Sequence, residues 1–372
     1  MVNVVEKIQD NVSEEMEVFL DSLMKRNKPL IFFGAGFIGK MAYDLFNHIG
    51  IKPDFFCDNN EEREGTLFLG VPVISFRTLS NQYLDSNILI TTKGHFNEIR
   101  RQLYDNGLKD IKELSWLIDY QKGYSYGIKG AYYPILLKRK LDVEEVYNHL
   151  SDELSKEIFY KVISYREGNS NEFSDVKSSS PPYFEQGLIK LTEHEVFIDG
   201  GAFDGDTVKA FLKELNGKFQ KIISFEPDKD SYNKLSQSVA NISGVIAMPY
   251  GLWNKKENLK FKKGINPEGN RILDEDYGET VIETVSIDEI IKEEIPTFIK
   301  MDIEGAEIKA LEGAKETIVK YKPKLAICVY HKPFDIIDIP LFIKNMVPGY
   351  KLYIRHYSNS FLDTILYAIP GE

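Results

Sequence analysis

Apolar residues occur along the chain in two patterns, short continuous runs and positions three or four residues apart. Residues 1–27 show the second pattern among acids and lysines, which predicts a leading amphipathic helix. Residues 28–60 show a buried run, a glycine turn, a helical stretch and a second run that ends near Asp58. The runs GVPVIS and NILITT and another helical stretch follow, so residues 28–115 are predicted to form a compact α/β domain.

The strand pattern fades in the middle of the chain. Residues 116–182 first carry apolar positions at helical spacing on a charged background, which predicts a helical connector. The connector ends in GNSNEFSDVKSSSPP, where Ser, Asn and Pro without periodicity indicate a mobile loop. A lid over a nearby site is the alternative interpretation of this loop.

Alternating strands and helices resume over residues 183–372. EVFIDGG, KIISFEPD, VIAMPYG, TFIKMD and KLAICVYH are predicted to be five parallel strands. YKLYIRHYS and TILYAIP are joined by too few residues for a crossover helix, so they should pair antiparallel at the sheet edge. The predicted fold class is therefore α/β with two Rossmann-like domains, and the sheet of the C-terminal domain has seven strands with a terminal antiparallel pair.

Charge and cysteine content narrow the classes of partner. The chain has 46 basic and 57 acidic residues and a net charge of −11, which disfavours nucleic acid and anionic membrane as partners. Cys57 and Cys328 each lie in an apolar run, which indicates buried reduced thiols. The polar N-terminus and the lack of a run of about 18 apolar residues predict a cytoplasmic protein. A homo-oligomer remains open.

The strand ends of the second half carry the candidate chemistry, because ligands of open parallel sheets bind beyond the carboxyl ends of the strands. The first of these strands runs into DGGAFDGDT at residues 199–207, where glycines allow close approach of the backbone to a ligand. Glu226 ends the next strand and could accept hydrogen bonds from both hydroxyls of a ribose. The acids of the turn would repel a pyrophosphate but suit the ammonium and sulfonium of S-adenosylmethionine. Packing and helix capping are the structural alternative.

Four segments, VFIDGGAFDGDT, FEPD, SIDEI and KMDIEGAE, resemble the FkbM-type methyltransferases, a branch of the Rossmann-like S-adenosylmethionine enzymes, over about residues 183–370. The last segment is the more specific to the family. The resemblance implies methyl transfer to a hydroxyl of a sugar, glycan precursor or secondary metabolite. Phe203 departs from the wider class, in which a glycine often stands there. The expected cofactor-binding residues are Asp199, Gly200, Gly201, Ala202, Phe203, Asp204, Gly205, Thr207, Glu226, Pro227, Gly251 and Asp302.

Asp302 and His331 follow neighbouring strands and are the candidate catalytic residues. Methyl transfer mainly requires in-line orientation and removal of the hydroxyl proton. Asp302 is expected to position cofactor or substrate, and His331 to accept the proton, because an unperturbed imidazole titrates near neutrality. A packing role for His331 is one alternative. Another is a divalent metal held by Asp302, Glu304 and His331, although the preferred interpretation has no metal.

The first domain carries a second glycine motif. Gly34, Gly36 and Gly39 fit G-x-G-x-x-G between a strand and a helix, and Asp58 follows at the end of the next strand. Helix N–H groups there could hold a pyrophosphate and Asp58 a ribose. DNN at residues 58–60 and GVPVI at 70–74 resemble the small nucleotide-binding domains of sugar-tailoring enzymes, which implies a nucleotide-linked sugar as substrate or effector. An empty inherited fold that serves as an oligomer interface or presents the substrate is the alternative.

The preferred function is that of a cytoplasmic S-adenosylmethionine-dependent O-methyltransferase with a small-molecule or sugar acceptor. Its predicted parts are a leading helix, a nucleotide-binding domain, a connector with a mobile loop, and a catalytic domain, at residues 1–27, 28–115, 116–182 and 183–372. An NAD-dependent sugar-modifying oxidoreductase is an alternative, although no Tyr-x-x-x-Lys pair follows the first glycine turn at useful spacing. A non-catalytic nucleotide-binding scaffold is the third, and the intact acids Asp199, Glu226 and Asp302 disfavour it.

Overall fold

The computed structural model describes residues 25, 27–48, 50–92, 96–113, 116–119, 124–128, 139–166, 173–262, 271–272, 280–291, 293–332, 334–359 and 362–371. The leading helix predicted for residues 1–27 lies almost entirely outside these. The chain divides into two compact units. The first comprises residues 1–117, 125–140 and 164–169, and the second comprises residues 118–124, 141–163 and 170–372.

The first unit contains a six-stranded sheet with the order β3-β4-β2-β1-β5-β6. Its strands are β1 (Leu30–Phe33), β2 (Phe55–Asp58), β3 (Leu67–Phe68), β4 (Val71–Ser75), β5 (Asn87–Ile90) and β6 (Ile111–Glu113). All neighbours pair parallel except β3 and β4. The helices are α1 (Phe37–His48), α2 (Phe76–Gln82) and α3 (Phe96–Asp105). The apolar runs of β1 and β5 are buried along their whole length, as expected for inner parallel strands.

The middle of the chain differs in part from the predicted helical connector. Helices α4 (Lys140–His149) and α5 (Glu153–Arg166) are present, but strands β7 (Trp116–Asp119) and β8 (Tyr124–Ile128) precede them and form a two-stranded sheet. Their aromatic and β-branched residues favour a strand over a helix.

Part of the predicted mobile loop is packed against the second unit's sheet. Residues 173–182 are described, and there Phe173 and Val176 are buried. The Phe173 ring stacks on His356 at 4.5 Å between centroids, and the Ser178 N–H donates to the His356 carbonyl at 2.8 Å. Two apolar side chains within a polar segment are therefore enough to hold it in place.

The second unit contains the seven-stranded sheet, with the order β11-β10-β9-β16-β17-β19-β18. Its strands are β9 (Val196–Gly200), β10 (Lys221–Phe225), β11 (Val245–Met248), β16 (Phe298–Met301), β17 (Lys324–Cys328), β18 (Tyr350–His356) and β19 (Thr364–Pro370). Five strands run parallel, and β19 pairs antiparallel with both β17 and β18. The predicted fold class, including the antiparallel edge, is confirmed.

Besides most of α4 and α5, the described residues of this unit form a smaller four-stranded sheet and six further helices. The smaller sheet consists of β12 (Gly251–Leu252), β13 (Glu257–Lys262), β14 (Arg271–Ile272) and β15 (Thr280–Val285). The helices are α6 (Asp206–Glu214), α7 (Lys229–Val239), α8 (Ile287–Ile290), α9 (Glu307–Glu312), α10 (Lys315–Tyr321) and α11 (Asp335–Met346). Phe197 stacks between Phe211 and Phe298, at 4.6 and 4.9 Å, and so ties α6 and β16 to the central strand. None of the described helices is long and apolar enough to cross a membrane.

Candidate functional site

The candidate site lies where the order of the seven-stranded sheet reverses. Strand β9 has β10 on one side and β16 on the other, all three parallel, so their carboxyl ends meet at one edge. A crevice beyond such a switch point is the usual ligand position in open α/β sheets. The residues that leave these strands are the glycine turn at 200–207, Glu226 and Asp302, which the sequence had singled out.

Glycines in the turn after β9 are required by close backbone packing. Gly201 has a φ of +75°, and a Cβ there would lie 1.8 Å from the Asp302 carbonyl oxygen. Gly205 has a φ of +88°, and its Cβ would lie 2.6 Å from Ser238 Oγ. Phe203 also has a positive φ, +48°, although it is not glycine. The residue that departs from the wider class thus keeps the conformation that glycine favours, at a cost of about 1–2 kcal/mol.

Asp199 lies beneath this turn rather than on its surface, which corrects its expected place in a cofactor-facing acidic surface. Its side chain is fully buried, and Lys300 Nζ lies 3.1 Å from its Oδ1. Lys300 also donates to the carbonyl oxygens of Gly200 and Gly201, at 3.1 and 2.7 Å. Burial raises the pKa of Asp199, and Lys300 opposes this shift. Asp199 therefore supports the turn from below instead of exposing its charge to a ligand.

Glu226 is the acid that faces the turn. Its Oε2 accepts the Phe203 N–H at 3.0 Å, and its Oε1 accepts the Asp228 N–H at 2.8 Å. Its burial raises the pKa to about 7, because the charged form is desolvated. Pro227 follows, and a Cβ on Gly251 would lie 3.7 Å from the Pro227 Cβ, so the ends of β10 and the start of β12 are neighbours.

The other residues of this turn that were predicted to bind the cofactor differ in how deeply they are buried. Ala202 and Thr207 are buried, and Thr207 lies in the first turn of α6. Asp204 is half-buried, and its carbonyl accepts a hydrogen bond from Ser238 Oγ at 2.9 Å. Ala202 and Thr207 thus serve the packing of the turn, whereas Phe203 and Asp204 remain partly accessible.

Asp302, after β16, is the centre of a polar cluster. Its Oδ2 accepts a hydrogen bond from Tyr183 Oη at 2.6 Å, and its Oδ1 accepts one from Tyr330 Oη at 3.3 Å. Its side chain is 25 % exposed. Burial alone would raise the pKa of Asp302, but His331, Lys300 and Tyr183 outweigh burial and hold the pKa below its ordinary value.

His331 lies behind Asp302 and is only 1 % exposed. Its Nδ1 lies 2.8 Å from Glu307 Oε1, and its Nε2 lies 3.2 Å from Asp302 Oδ1 and 3.6 Å from Glu304 Oε2. Burial alone would lower the pKa of His331, but the three carboxylates raise it well above its ordinary value. A ring enclosed in this way has no direct access to an acceptor in the crevice.

Sequence reasoning missed Lys300 and Tyr330. Lys300 lies in a predicted buried strand, and a lysine within the apolar run FIKM was the available signal, because a buried lysine requires a partner. Tyr330 immediately precedes His331, but nothing in the sequence places its hydroxyl on Asp302.

The first unit contains a cavity of about 500 Å³ at the second glycine motif. It is lined by Gly34, Gly36, Asp58, the two threonines that follow β5 and residues of α3, among others. A Cβ on Gly34 would lie 2.5 Å from Thr92 Cγ2, and one on Gly39 would lie 2.1 Å from the Gly34 carbonyl oxygen. A Cβ on Gly36 would meet nothing within 4 Å. Gly34 thus serves the turn and Gly39 the helix–strand packing, whereas Gly36 faces open space.

Asp58 lies at the predicted position in this cavity, but it is not a free acid. Its Oδ2 forms an ion pair with Arg63 Nη1 at 2.9 Å, and its Oδ1 accepts the Asn60 N–H at 2.9 Å. Arg63 also donates to the Ala35 carbonyl oxygen. The cavity therefore has a guanidinium beside its glycine turn, a charge that the fingerprint alone did not indicate.

Comparison with known proteins agrees with the motifs of the second unit. Residues 199–352 match the sequence profile described as the methyltransferase FkbM domain. The crystal structure of a methyltransferase FkbM from Methylobacillus flagellatus KT matches with 22 % identity and a TM-score of 0.57, over 98 % of this chain and 97 % of that one. This match shows a common fold along nearly the whole chain.

Other solved structures align with about half of the chain. An rRNA methylase from Streptococcus thermophilus matches with 15 % identity over 49 % of this chain and 90 % of its own, at a TM-score of 0.32. Fibrillarin from Aeropyrum pernix, solved with bound S-adenosyl-L-methionine, matches with 12 % identity over 49 % of this chain and 70 % of its own, at a TM-score of 0.31. No curated protein sequence matches significantly.

Proposed function

We propose that this chain, an S-adenosylmethionine-dependent methyltransferase with a domain of the FkbM type, transfers its methyl group to a hydroxyl of a sugar, glycan precursor or secondary metabolite. The observation that carries the proposal is the position of Asp302. It is a partly exposed acid beside the glycine turn, at the point where the sheet order reverses. A hydroxyl acceptor needs such an acid to orient it and receive its proton.

The residues around the turn fit S-adenosylmethionine. Each Glu226 oxygen already accepts one backbone N–H and keeps a second lone pair for a ribose hydroxyl. Phe203 and Pro227 lie beside this acid and are partly exposed, and Gly251 adjoins Pro227, so we assign the adenine to this apolar surface. Since Asp199 is paired with Lys300, we assign the attraction of the cationic part of the cofactor to Asp204 and Asp302 instead.

The bound cofactor would supply a methyl group already activated by its sulfonium, so the protein's task is mainly to orient the acceptor. In our proposal the acceptor oxygen attacks the methyl carbon, the carbon–sulfur bond breaks, and the hydroxyl proton passes to Asp302. Tyr183 holds the Asp302 carboxylate by a hydrogen bond of 2.6 Å. His331 acts as a positioning residue through Asp302, because its ring is buried. This revises the expectation that His331 itself is the base.

The decisive experiment is calorimetric titration of the full chain with S-adenosylhomocysteine, followed by methyl-transfer assays with labelled cofactor on sugar-containing extracts. Glu226→Ala should abolish S-adenosylhomocysteine binding. Asp302→Asn should weaken binding without abolishing it, because Asp204 remains, and should lose transfer. Glu214→Gln, at the exposed end of α6, is the matched control and should leave both unchanged. Methylation of a product at nitrogen or carbon, with no hydroxyl product found, would contradict the proposal.

We propose further that the first unit binds a nucleotide through its pyrophosphate. The proposal is supported by Gly36, the one of the three glycines at which a Cβ would meet no atom within 4 Å. A phosphate needs to approach the backbone closely at this position, and a glycine leaves the space for it. Arg63 beside the turn would add a positive charge. A nucleotide-linked sugar would then be a substrate or effector.

The test is a thermal-shift titration with NAD and with nucleoside-diphosphate sugars. Gly36→Val should remove the shift without unfolding the domain, because its side chain would enter open space. Gly349→Val, equally open and far from this motif in sequence, is the control. A shift that survives Gly36→Val would place the ligand elsewhere.

We also propose a cytoplasmic location. Both cysteines, Cys57 and Cys328, are buried free thiols, which a reducing compartment preserves.

A further inference from the structure

Three donor atoms converge on one point behind the crevice. One ligand atom from each of Asp302, Glu304 and His331 lies within 4.8 Å of the other two. The ring nitrogen His331 Nε2 is 3.2 Å from Asp302 Oδ1 and 3.6 Å from Glu304 Oε2. Ligands that each lie about 2.0–2.2 Å from one metal ion stand about 3.0–3.5 Å apart at tetrahedral or octahedral angles. The two distances from the ring nitrogen are therefore close to the spacing of ligands around a single cation.

The His331 ring is oriented as a metal ligand would be. Its Nδ1 lies 2.8 Å from Glu307 Oε1, and the same oxygen accepts the Ile303 N–H at 3.1 Å, which fixes the carboxylate. Because a carboxylate only accepts, Nδ1 carries the hydrogen and Nε2 points to the cluster. A carboxylate on the far nitrogen is the usual arrangement behind a metal-bound histidine.

The buried Nε2 makes no aligned hydrogen bond to any described residue, although the ring is 1 % exposed. A buried nitrogen without a hydrogen bond is costly, and this one faces two carboxylate oxygens. A cation bound at this point would give the His331 Nε2 a bonding partner. The buried Nε2 without an aligned hydrogen bond is thus an observation beyond the grouping of the acids.

The local balance of charge also favours a cation. Asp302, Glu304 and Glu307 contribute three carboxylates around the ring. Lys300 is paired with Asp199, and the single His331 ring faces all three of these carboxylates. A buried charge is unfavourable unless it is paired with an opposite charge or coordinates a metal, so this excess of carboxylates favours a bound cation.

We propose that Asp302, Glu304 and His331 bind a divalent transition-metal ion, such as Mn²⁺, on which the acceptor hydroxyl is held and made more acidic during methyl transfer. Two carboxylates and an imidazole are a donor set that suits such ions. Asp302 and Glu304 are 25 % and 20 % exposed, so coordination positions would remain open towards the crevice. The inference rests on the proposed O-methyl transfer for its use of the metal, but not for the metal site itself.

The experiment measures Mn²⁺ binding to chelator-treated, dialysed full-length protein by electron paramagnetic resonance and calorimetry, without substrate. We expect one Mn²⁺ per chain. Glu304→Gln and His331→Ala should each weaken binding by at least about tenfold, the lower bound for loss of even an outer partner of a metal ligand. Glu304 is partly exposed, so this variant should remain folded even if His331→Ala does not. His194→Ala, an 82 % exposed histidine elsewhere in the unit, is the matched control and should bind as the wild type does.

Parallel titration with S-adenosylhomocysteine separates the two proposals. Cofactor binding without Mn²⁺ binding to the wild type would overturn the metal site and leave the methyl-transfer proposal standing. Mn²⁺ binding that is unchanged in both site variants would also overturn it. Site-dependent Mn²⁺ binding together with transfer to an acceptor atom other than oxygen would retain the metal site and refute the proposed function.

Discussion

Glu226 makes the affinity for S-adenosylhomocysteine depend on pH. Its burial raises the pKa of the free protein to about 7, whereas a ribose that donates two hydrogen bonds requires the charged carboxylate. Below pH 7 the cofactor must therefore displace a proton, and the binding constant should fall by up to tenfold per pH unit, or about 1.4 kcal/mol. Above pH 8 the dependence should level off. Between pH 8 and pH 6 we expect a loss of about tenfold in affinity.

Calorimetric titrations across this range, in buffers of different ionisation enthalpy, measure both the affinity and the protons released. Binding near pH 6 should release close to one proton. Glu226→Ala should bind weakly with a flat pH profile, and Glu214→Gln should reproduce the wild-type profile. A wild-type affinity that is constant from pH 6 to pH 8, or a Glu226→Ala variant that keeps the slope, would refute the role given to this carboxylate.

Three further predictions follow from the same unit. The pKa of Glu226 is about 7 in the folded protein and about 4.5 in the unfolded chain, so between these pH values only the folded protein keeps the proton. The free energy of unfolding should therefore fall by up to about 3 kcal/mol as the pH rises from about 4.5 to about 7. Urea denaturation without ligand measures this change. Gly201→Ala should remove S-adenosylhomocysteine binding and should lower Tm far more than the control Gly217→Ala does. Both glycines have a φ of +75°, but only at Gly201 would a Cβ lie against a backbone oxygen. Equal losses of Tm in the two variants would contradict this. Tyr183→Phe should lower kcat by about tenfold with the S-adenosylhomocysteine affinity unchanged, because one hydrogen bond to Asp302 is lost; an unchanged kcat would remove Tyr183 from the site.

The strands of the two larger sheets could be predicted because the sequence patterns that mark them lie within short segments of the chain. Buried parallel strands are continuous apolar runs, and the segment between YKLYIRHYS and TILYAIP is too short for any crossover, which requires the antiparallel pair of β18 and β19. The glycine turn was predictable for a similar reason, since few residues other than glycine adopt the backbone found at Gly201.

The interactions inside the candidate site were less predictable, because they depend on register between segments that are distant in sequence. Lys300 meets Asp199 only because β16 pairs with β9 in the register that sets these two residues opposite each other. An acid next to glycines therefore suggested an exposed negative surface, although its charge is compensated from a neighbouring strand. Likewise, His331 was expected to be the base because an isolated imidazole titrates near neutral pH. The burial of its ring among three carboxylates could not be predicted from the sequence.

The Asp199–Lys300 pair has a consequence for how this sequence can vary. Loss of one member would leave the other as an unpaired buried charge, at a cost of about 3–5 kcal/mol, whereas exchanging both for well-packed apolar residues can be neutral. The residues at these two positions should therefore change together among homologous proteins. A sufficiently deep alignment should show covariation between positions 199 and 300.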